Sequence, residues 1–65
     1  MDFFTWKAEV DKILVEHIGL VQDDLPDWLA RDAYDDGIKP IEGARQCLLN
    51  ACEYMGFDER LVDEL

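Results

Sequence analysis

Phe3-Phe4-Thr5-Trp6-Lys7-Ala8-Glu9-Val10-Asp11-Lys12-Ile13-Leu14-Val15-Glu16-His17-Ile18-Gly19 is the stretch whose reading decides the fold class. Phe3, Trp6, Val10, Ile13, Leu14, His17 and Ile18, with Val21 beyond the glycine, recur at intervals of three or four. That spacing places them on one face of a helix. It predicts a helix over about residues 3–18, ended by Gly19, which can take the left-handed conformation that commonly closes a helix.

Working outward, Gln22-Asp23-Asp24-Leu25-Pro26-Asp27-Trp28-Leu29 sets aspartates ahead of a proline suited to a first helical turn. Proline costs nothing there, because its missing amide hydrogen would have no partner in any case. A second helix is therefore expected to start at Pro26 and run to Asp36, where Gly37 closes it. Lys39-Pro40 opens a third helix by the same logic, with Ile41, Ala44, Leu48, Ala51 and Met55 inward. It ends at Met55-Gly56-Phe57, and Asp58 then caps a short fourth helix from Glu59 to Leu65. No segment alternates in the manner of a strand between hairpin turns. The expected architecture is all-α, a compact bundle of three main helices plus a short C-terminal helix, in a single acidic domain spanning residues 1–65.

A chain of 65 residues supports one small core and buries only about 60% of its unfolded surface. With 49% hydrophobic and 11% aromatic residues it is well within the range of sequences that fold. No run approaches the roughly 20 apolar residues of a membrane span, and Met1-Asp2-Phe3-Phe4 lacks the basic start of a secretory signal. A cytoplasmic protein is expected, with no membrane partner. Cys47 and Cys52, five apart on one helix, point in different directions and are read as reduced, packed thiols.

The charge excludes most binding classes. Sixteen acidic residues against six basic ones give a net charge of −10, which rules out direct binding of nucleic acid by an ordinary basic surface. The same charge opposes self-association, so a monomer is expected. The acids are unevenly placed: Asp23, Asp24, Asp27, Asp32, Asp35 and Asp36 stand against Arg31 alone, and Asp58, Glu59, Asp63 and Glu64 against Arg60 alone. On a continuous second helix, Asp23, Asp24, Asp27 and Asp35 would share one side, with Leu25, Leu29 and Ala33 opposite. Asp32, Asp35 and Asp36 would then occupy its last turns, where the helix dipole penalises each by roughly 0.3–1 kcal/mol. A small protein that tolerates such penalties, and uses aspartate where glutamate is the better helix former, marks that surface as a binding site. Tyr34, near the acids, either stacks on a partner's arginine or closes the edge of the core.

Catalytic chemistry is missing. His17, the only histidine, lies on the apolar stripe of the first helix and reads as a satisfied boundary residue. One His and two Cys five apart match no zinc spacing, and Asp23-Asp24-Leu25-Pro26-Asp27 lacks the alternation of a calcium loop. The chain contains no serine, no phosphate-binding glycine loop and no nucleophile with a partner base. Neither enzymatic activity nor a cofactor or metal is expected. Met55-Gly56-Phe57 resembles the loop of ubiquitin-associated domains, but those need two further helices and only about eight residues remain.

Leu25-Pro26-Asp27, Tyr34-Asp35-Asp36-Gly37 and Pro40-Ile41-Glu42 together resemble a segment of small proteins from bacterial phages and mobile elements, over about a quarter of the chain. The wider profile, short, acidic and helical, is similar to nucleic-acid-mimicking anti-CRISPR inhibitors of type I surveillance complexes. The resemblance implies an acidic surface, here Asp23, Asp24, Asp27, Asp32, Tyr34, Asp35, Asp36, Asp58, Glu59, Asp63 and Glu64. This surface would dock on a basic nucleic-acid-binding protein such as the PAM-recognising subunit and exclude DNA. It implies action in the cytoplasm of the bacterial host. Same-face carboxylates on a helix lie roughly 5–6 Å apart, comparable with phosphates along a strand. The alternative is a non-enzymatic adaptor binding through an apolar groove or through the surfaces of Trp6 and Trp28, and a third is an antitoxin-like regulator.

Overall fold

Asp2 precedes the first helix in extended conformation, and its carboxylate accepts the backbone N–H of Thr5 at 2.7 Å. That bond holds the Asp2 carboxyl below its ordinary pKa. The computed structural model describes residues 1–65, and it is all-α, with no strand. Helix α1 covers Phe3–Ile18, α2 Ala30–Asp35, α3 Pro40–Met55 and α4 Arg60–Asp63, and a 3₁₀ turn covers Gln22–Asp24. The expected bounds of the first and third helices agree with the structure. Gly19 at φ 74° and Gly56 at φ 75° close them in the left-handed region that glycine enters without a Cβ clash.

Helices α1 and α3 make the core. Trp6, Val10 and Leu14 from α1 meet Ala44, Cys47, Leu48 and Ala51 from α3, and Leu25 and Ala33 close it from the connecting segment. The two helices approach closely because α3 carries Gly43 at the crossing. A Cβ added there would stand 2.8 Å from the Trp6 ring and 3.2 Å from Val10. Gly43→Ala would gain about 1 kcal/mol of helix propensity, whereas overpacking a tight core costs about 1–3 kcal/mol. The substitution is therefore expected to lower the melting temperature, measured by circular dichroism; an increase would mean that α1 and α3 separate without loss.

Helix two departs from expectation. Its predicted start at Pro26 is replaced by a stretch without helical structure, extended at Leu25, and α2 begins only at Ala30. Three tertiary anchors override the local start signal. Gln22, which is buried, donates its backbone N–H and its amide to the Asp11 carboxylate at 2.8 and 3.0 Å and accepts the Trp28 indole N–H at 2.8 Å. Leu25 turns into the core, and Asn50 of α3 donates to the Asp27 carbonyl at 3.0 Å. A helix running from Pro26 would withdraw Asp27 and Trp28 from these partners. Leu25 itself precedes a proline, which already disfavours helical geometry.

The inward face expected for helix two changes accordingly. Ala33 is buried, but Leu29 is 74% exposed. Met55, expected inward on α3, is also exposed. Helix α4 is shorter than the predicted Glu59–Leu65 stretch. Its N-cap is Glu59, one residue later than the expected Asp58, whose carboxylate nonetheless accepts the Arg60 N–H at 2.9 Å. Leu61, Val62 and Leu65 pack against the core, His17 Nε2–H donates to the Leu61 carbonyl at 2.6 Å, and Arg45 donates to the main-chain oxygen of Leu65. His17 is thus the satisfied boundary residue expected from its place on the stripe.

Candidate acidic interaction surface

Helix α2 is short, and its inner and outer sides are chemically distinct. At 100° per residue, Ala30, Ala33 and Tyr34 fall on one side, while Asp32, Asp35 and Asp36 cluster on the other. The first three are buried or half-buried and the three aspartates are exposed. Asp36 stands just past the helix as its C-cap.

The dipole argument applied to a long helix two needs correction here. Asp32 lies in the first turn of α2, where negative charge is favoured, and only Asp35 and Asp36 lie at the unfavourable end. The predicted single array also dissolves. Asp23 and Asp24 sit on the 3₁₀ turn, Asp27 sits on the irregular chain that follows it, and none of the three belongs to α2. Their spacing therefore does not follow a helical repeat.

The second acidic segment lies elsewhere. Asn50, which holds Asp27, and Cys52, whose thiol lies 3.8 Å from the Asp58 carbonyl, project about 160° apart on α3. Residues 25–29 and α4 thus flank opposite sides of the buried α3 stripe. Asp58, Glu59, Asp63 and Glu64 form a separate exposed edge.

Few of these charges are neutralised. Among the ten carboxylates, Asp23 approaches Lys7 at 4.0 Å, Asp35 pairs with Arg31 at 3.3 Å and Asp58 with Arg60 at 2.7 Å. Arg60 holds the Asp58 carboxyl below its usual range through these hydrogen bonds. Asp24, Asp27, Asp32, Asp36, Glu59, Asp63 and Glu64 have no ion-pair partner, and all ten are exposed. Asp24 bonds only the Val21 backbone N–H, at 3.4 Å. Acceptors of this kind can hold cationic groups of a partner, but no three His, Cys, Asp or Glu side chains converge to hold a metal ion.

Tyr34 stands at the edge of the core. Its ring meets Phe3 edge-on at 5.5 Å and Trp6 at 5.8 Å, and its hydroxyl donates to the Met1 carbonyl at 2.6 Å. Trp6 is buried, donates to the Ile38 carbonyl at 2.7 Å and stacks at 6.2 Å on Trp28, which is half-buried. The thiols are not activated, since burial pushes Cys47 up to about 11, aided by the nearby Asp11 charge.

Sequence reasoning missed the aromatic step beside α2. Phe4 is 81% exposed, its ring 6.0 Å from that of Phe3, and the Arg31 guanidinium lies over Phe3 at 5.0 Å and over Tyr34 at 5.7 Å. The available signal was the Phe3-Phe4 pair itself. Adjacent residues on a helix point about 100° apart, so a stripe through Phe3 and Trp6 leaves Phe4 outside.

Comparison with known proteins adds a lineage. The model described as "Family of unknown function (DUF5419)" matches residues 2–51, which include the 23–36 acidic segment and stop short of α4. The Gene 87 protein of Mycobacterium phage L5 is 44% identical over 48 residues, covering 74% of this chain and 91% of that protein. The Gene 87 protein of Mycobacterium phage D29 is 40% identical over 50 residues, covering 77% and 93% respectively. No solved structure matches the chain.

Proposed function

The chain belongs to the DUF5419 family, and on that premise we propose that it acts without catalysis, as an inhibitor that lays an acidic surface on a basic nucleic-acid-binding protein. The observation that carries this reading is the excess of exposed carboxylates without ion-pair partners, on a chain of net charge −10. Such a surface attracts a Lys/Arg-lined groove, speeds encounter and competes with phosphates for the same cations. Relatives encoded by two mycobacterial phages support a target met in the cytoplasm of an infected bacterium.

The specific form we propose is an anti-CRISPR protein whose surface occupies the channel that receives target DNA or its PAM in a type I complex. Because the carboxylates of residues 23–36 do not follow one continuous helical repeat, mimicry here rests on charge density and not on a copied phosphate spacing. The acids of residues 23–36 are the principal contacts, since they lie within the part matched by the family model. Those of α4 lie outside it.

A second reading is favoured by one feature, an open apolar hollow of about 350 Å³ lined by His17, Ile18, Leu20, Phe57 and Leu61. An adaptor would bind an apolar side chain there, and its affinity would change little with salt. Charge-driven inhibition must instead weaken steeply as ionic strength rises.

The test is a pull-down of nucleic-acid-binding complexes from bacterial lysate with tagged protein, with and without competing DNA and across a salt series. Capture that DNA and salt both reverse supports inhibition by charge. The triple variant Asp27→Lys, Asp32→Lys and Asp36→Lys, which alters only exposed side chains, should keep its helicity and lose at least about tenfold in affinity, or 1.4 kcal/mol. Unchanged affinity in that variant would overturn the proposal.

A further inference from the structure

A chain of contacts links the exposed Phe4 to the acids of α2, through the half-buried Phe3 ring and Arg31. Phe4, 81% exposed, lies 6.0 Å from Phe3, ring to ring, and the Arg31 guanidinium covers Phe3 at 5.0 Å while pairing with Asp35 at 3.3 Å. Asp32 and Asp36 share the outer side of α2 with Asp35 and have no ion-pair partner. The Tyr34 ring against Phe3 of the first turn of α1, and the Tyr34 hydroxyl on the carbonyl of Met1 just ahead of that helix, tie the start of α1 to α2.

Arg31 shows what chemistry this surface holds. Its side chain, 66% exposed, could extend into solvent, yet its guanidinium carbon stands 5.0 Å from the centre of the Phe3 ring and 5.7 Å from that of Tyr34, with its charge against a carboxylate. A guanidinium suits that position because it is planar, weakly hydrated at its faces and able to stack and donate at once; an ammonium is a compact, strongly hydrated charge. The next ring along, Phe4, has no cation over it, and the next carboxylates, Asp32 and Asp36, have no cation beside them.

We propose that the N-terminal turn of α1 and the outer side of α2 form an arginine-reading face, on which an arginine-rich segment of the basic partner stacks one guanidinium on Phe4 and pairs others with Asp32, Asp35 and Asp36. This deepens the function proposed above by naming the arginine, in preference to the lysine, of a nucleic-acid-binding surface as what is recognised. Charge complementarity selects a basic occupant, and the exposed ring selects arginine within that class. Phe4 is the specificity-determining residue, whereas the aspartates set affinity for any cation.

Fluorescently labelled oligo-arginine and oligo-lysine peptides of equal length, titrated onto the full chain by anisotropy, separate these roles. The arginine peptide should bind more tightly than the lysine peptide, and Phe4→Leu should shrink that ratio by roughly two- to five-fold, the size of an exposed cation–π contact. Leucine keeps the position apolar and helix-favouring, so the variant should melt as the parent does. Asp32→Asn with Asp36→Asn should weaken both peptides alike and leave the ratio standing. A ratio that Phe4→Leu leaves unchanged, or failure of both peptides to bind, overturns the proposal. The outcome is separable from the pull-down: a DNA-displaceable partner without arginine preference leaves the inhibitor reading intact, and arginine preference without such a partner leaves only the face.

Discussion

Trp6→Ala is expected to leave the protein largely unfolded at room temperature, seen as loss of helical circular dichroism and of any cooperative melt. Trp6 is 3% exposed and is the largest side chain of the core. It stacks on Phe3 and Trp28, meets Tyr34 edge-on and fills the space that Gly43 leaves open. Truncating a buried tryptophan costs about 3–5 kcal/mol. A chain this short has roughly 3–10 kcal/mol of stability in all. The Ile38 carbonyl also loses its indole donor, and with it a link that fastens the end of the connecting segment to α1. Trp6→Phe should be milder, since it keeps an aromatic ring and forfeits only part of the volume and the hydrogen bond. A Trp6→Ala variant that melted cooperatively a few degrees below the parent would show that this cluster is not the centre of the core.

Leu48→Asp carries a comparable penalty by a different route. Leu48 is fully buried among Val10, Leu14, Ala44 and Ala51. The replacement removes buried methyl groups at about 2–5 kcal/mol and adds a carboxyl group with no partner, at a further 2 kcal/mol or so even if it protonates. No urea transition is expected from a native baseline. The control is Leu49→Asp, one residue and 100° further round α3, where the side chain is 43% exposed and the change should stay within about 0.5 kcal/mol. Equal effects at the two positions would refute the orientation of α3. Ile13, an equally strong candidate for the core by spacing, is only half-buried, so Ile13→Asp should cost less than Leu48→Asp.

The contrast between α1 and α2 shows where sequence reasoning holds and where it fails. In α1 the apolar spacing, the N-terminal aspartate and the closing glycine all favour the same helix, so its bounds are legible without any partner. In residues 22–29 the proline and aspartates favour a helix start, while Gln22, Leu25 and Asn50 favour an extended path. The hydrogen bonds of Gln22 with Trp28 and with Asp11, and of Asn50 with Asp27, reach across 6, 11 and 23 residues of chain, and no helix-start signal encodes them. Gly43 is a similar case. As a glycine inside a helix it reads as a small weakness, and only the Trp6 ring lying against it explains why a larger residue would not fit.

The candidate surface divides along the same line. That the chain is acidic, where its acids concentrate and that it lacks catalytic groups are properties of composition and order, and they need no coordinates. Which carboxylates stand together depends on where α2 begins, and that was decided by the tertiary anchors of Gln22, Leu25 and Asp27. The sequence by itself therefore determined the helical class, the limits of α1 and α3 and the sign of the surface charge, because periodicity, glycine caps and ionisation act over a few residues. Only the tertiary structure decided the shortened α2, the separation of the two acidic edges and the exposure of Phe4 beside Arg31, because burial and hydrogen bonding between distant segments outweigh local preference.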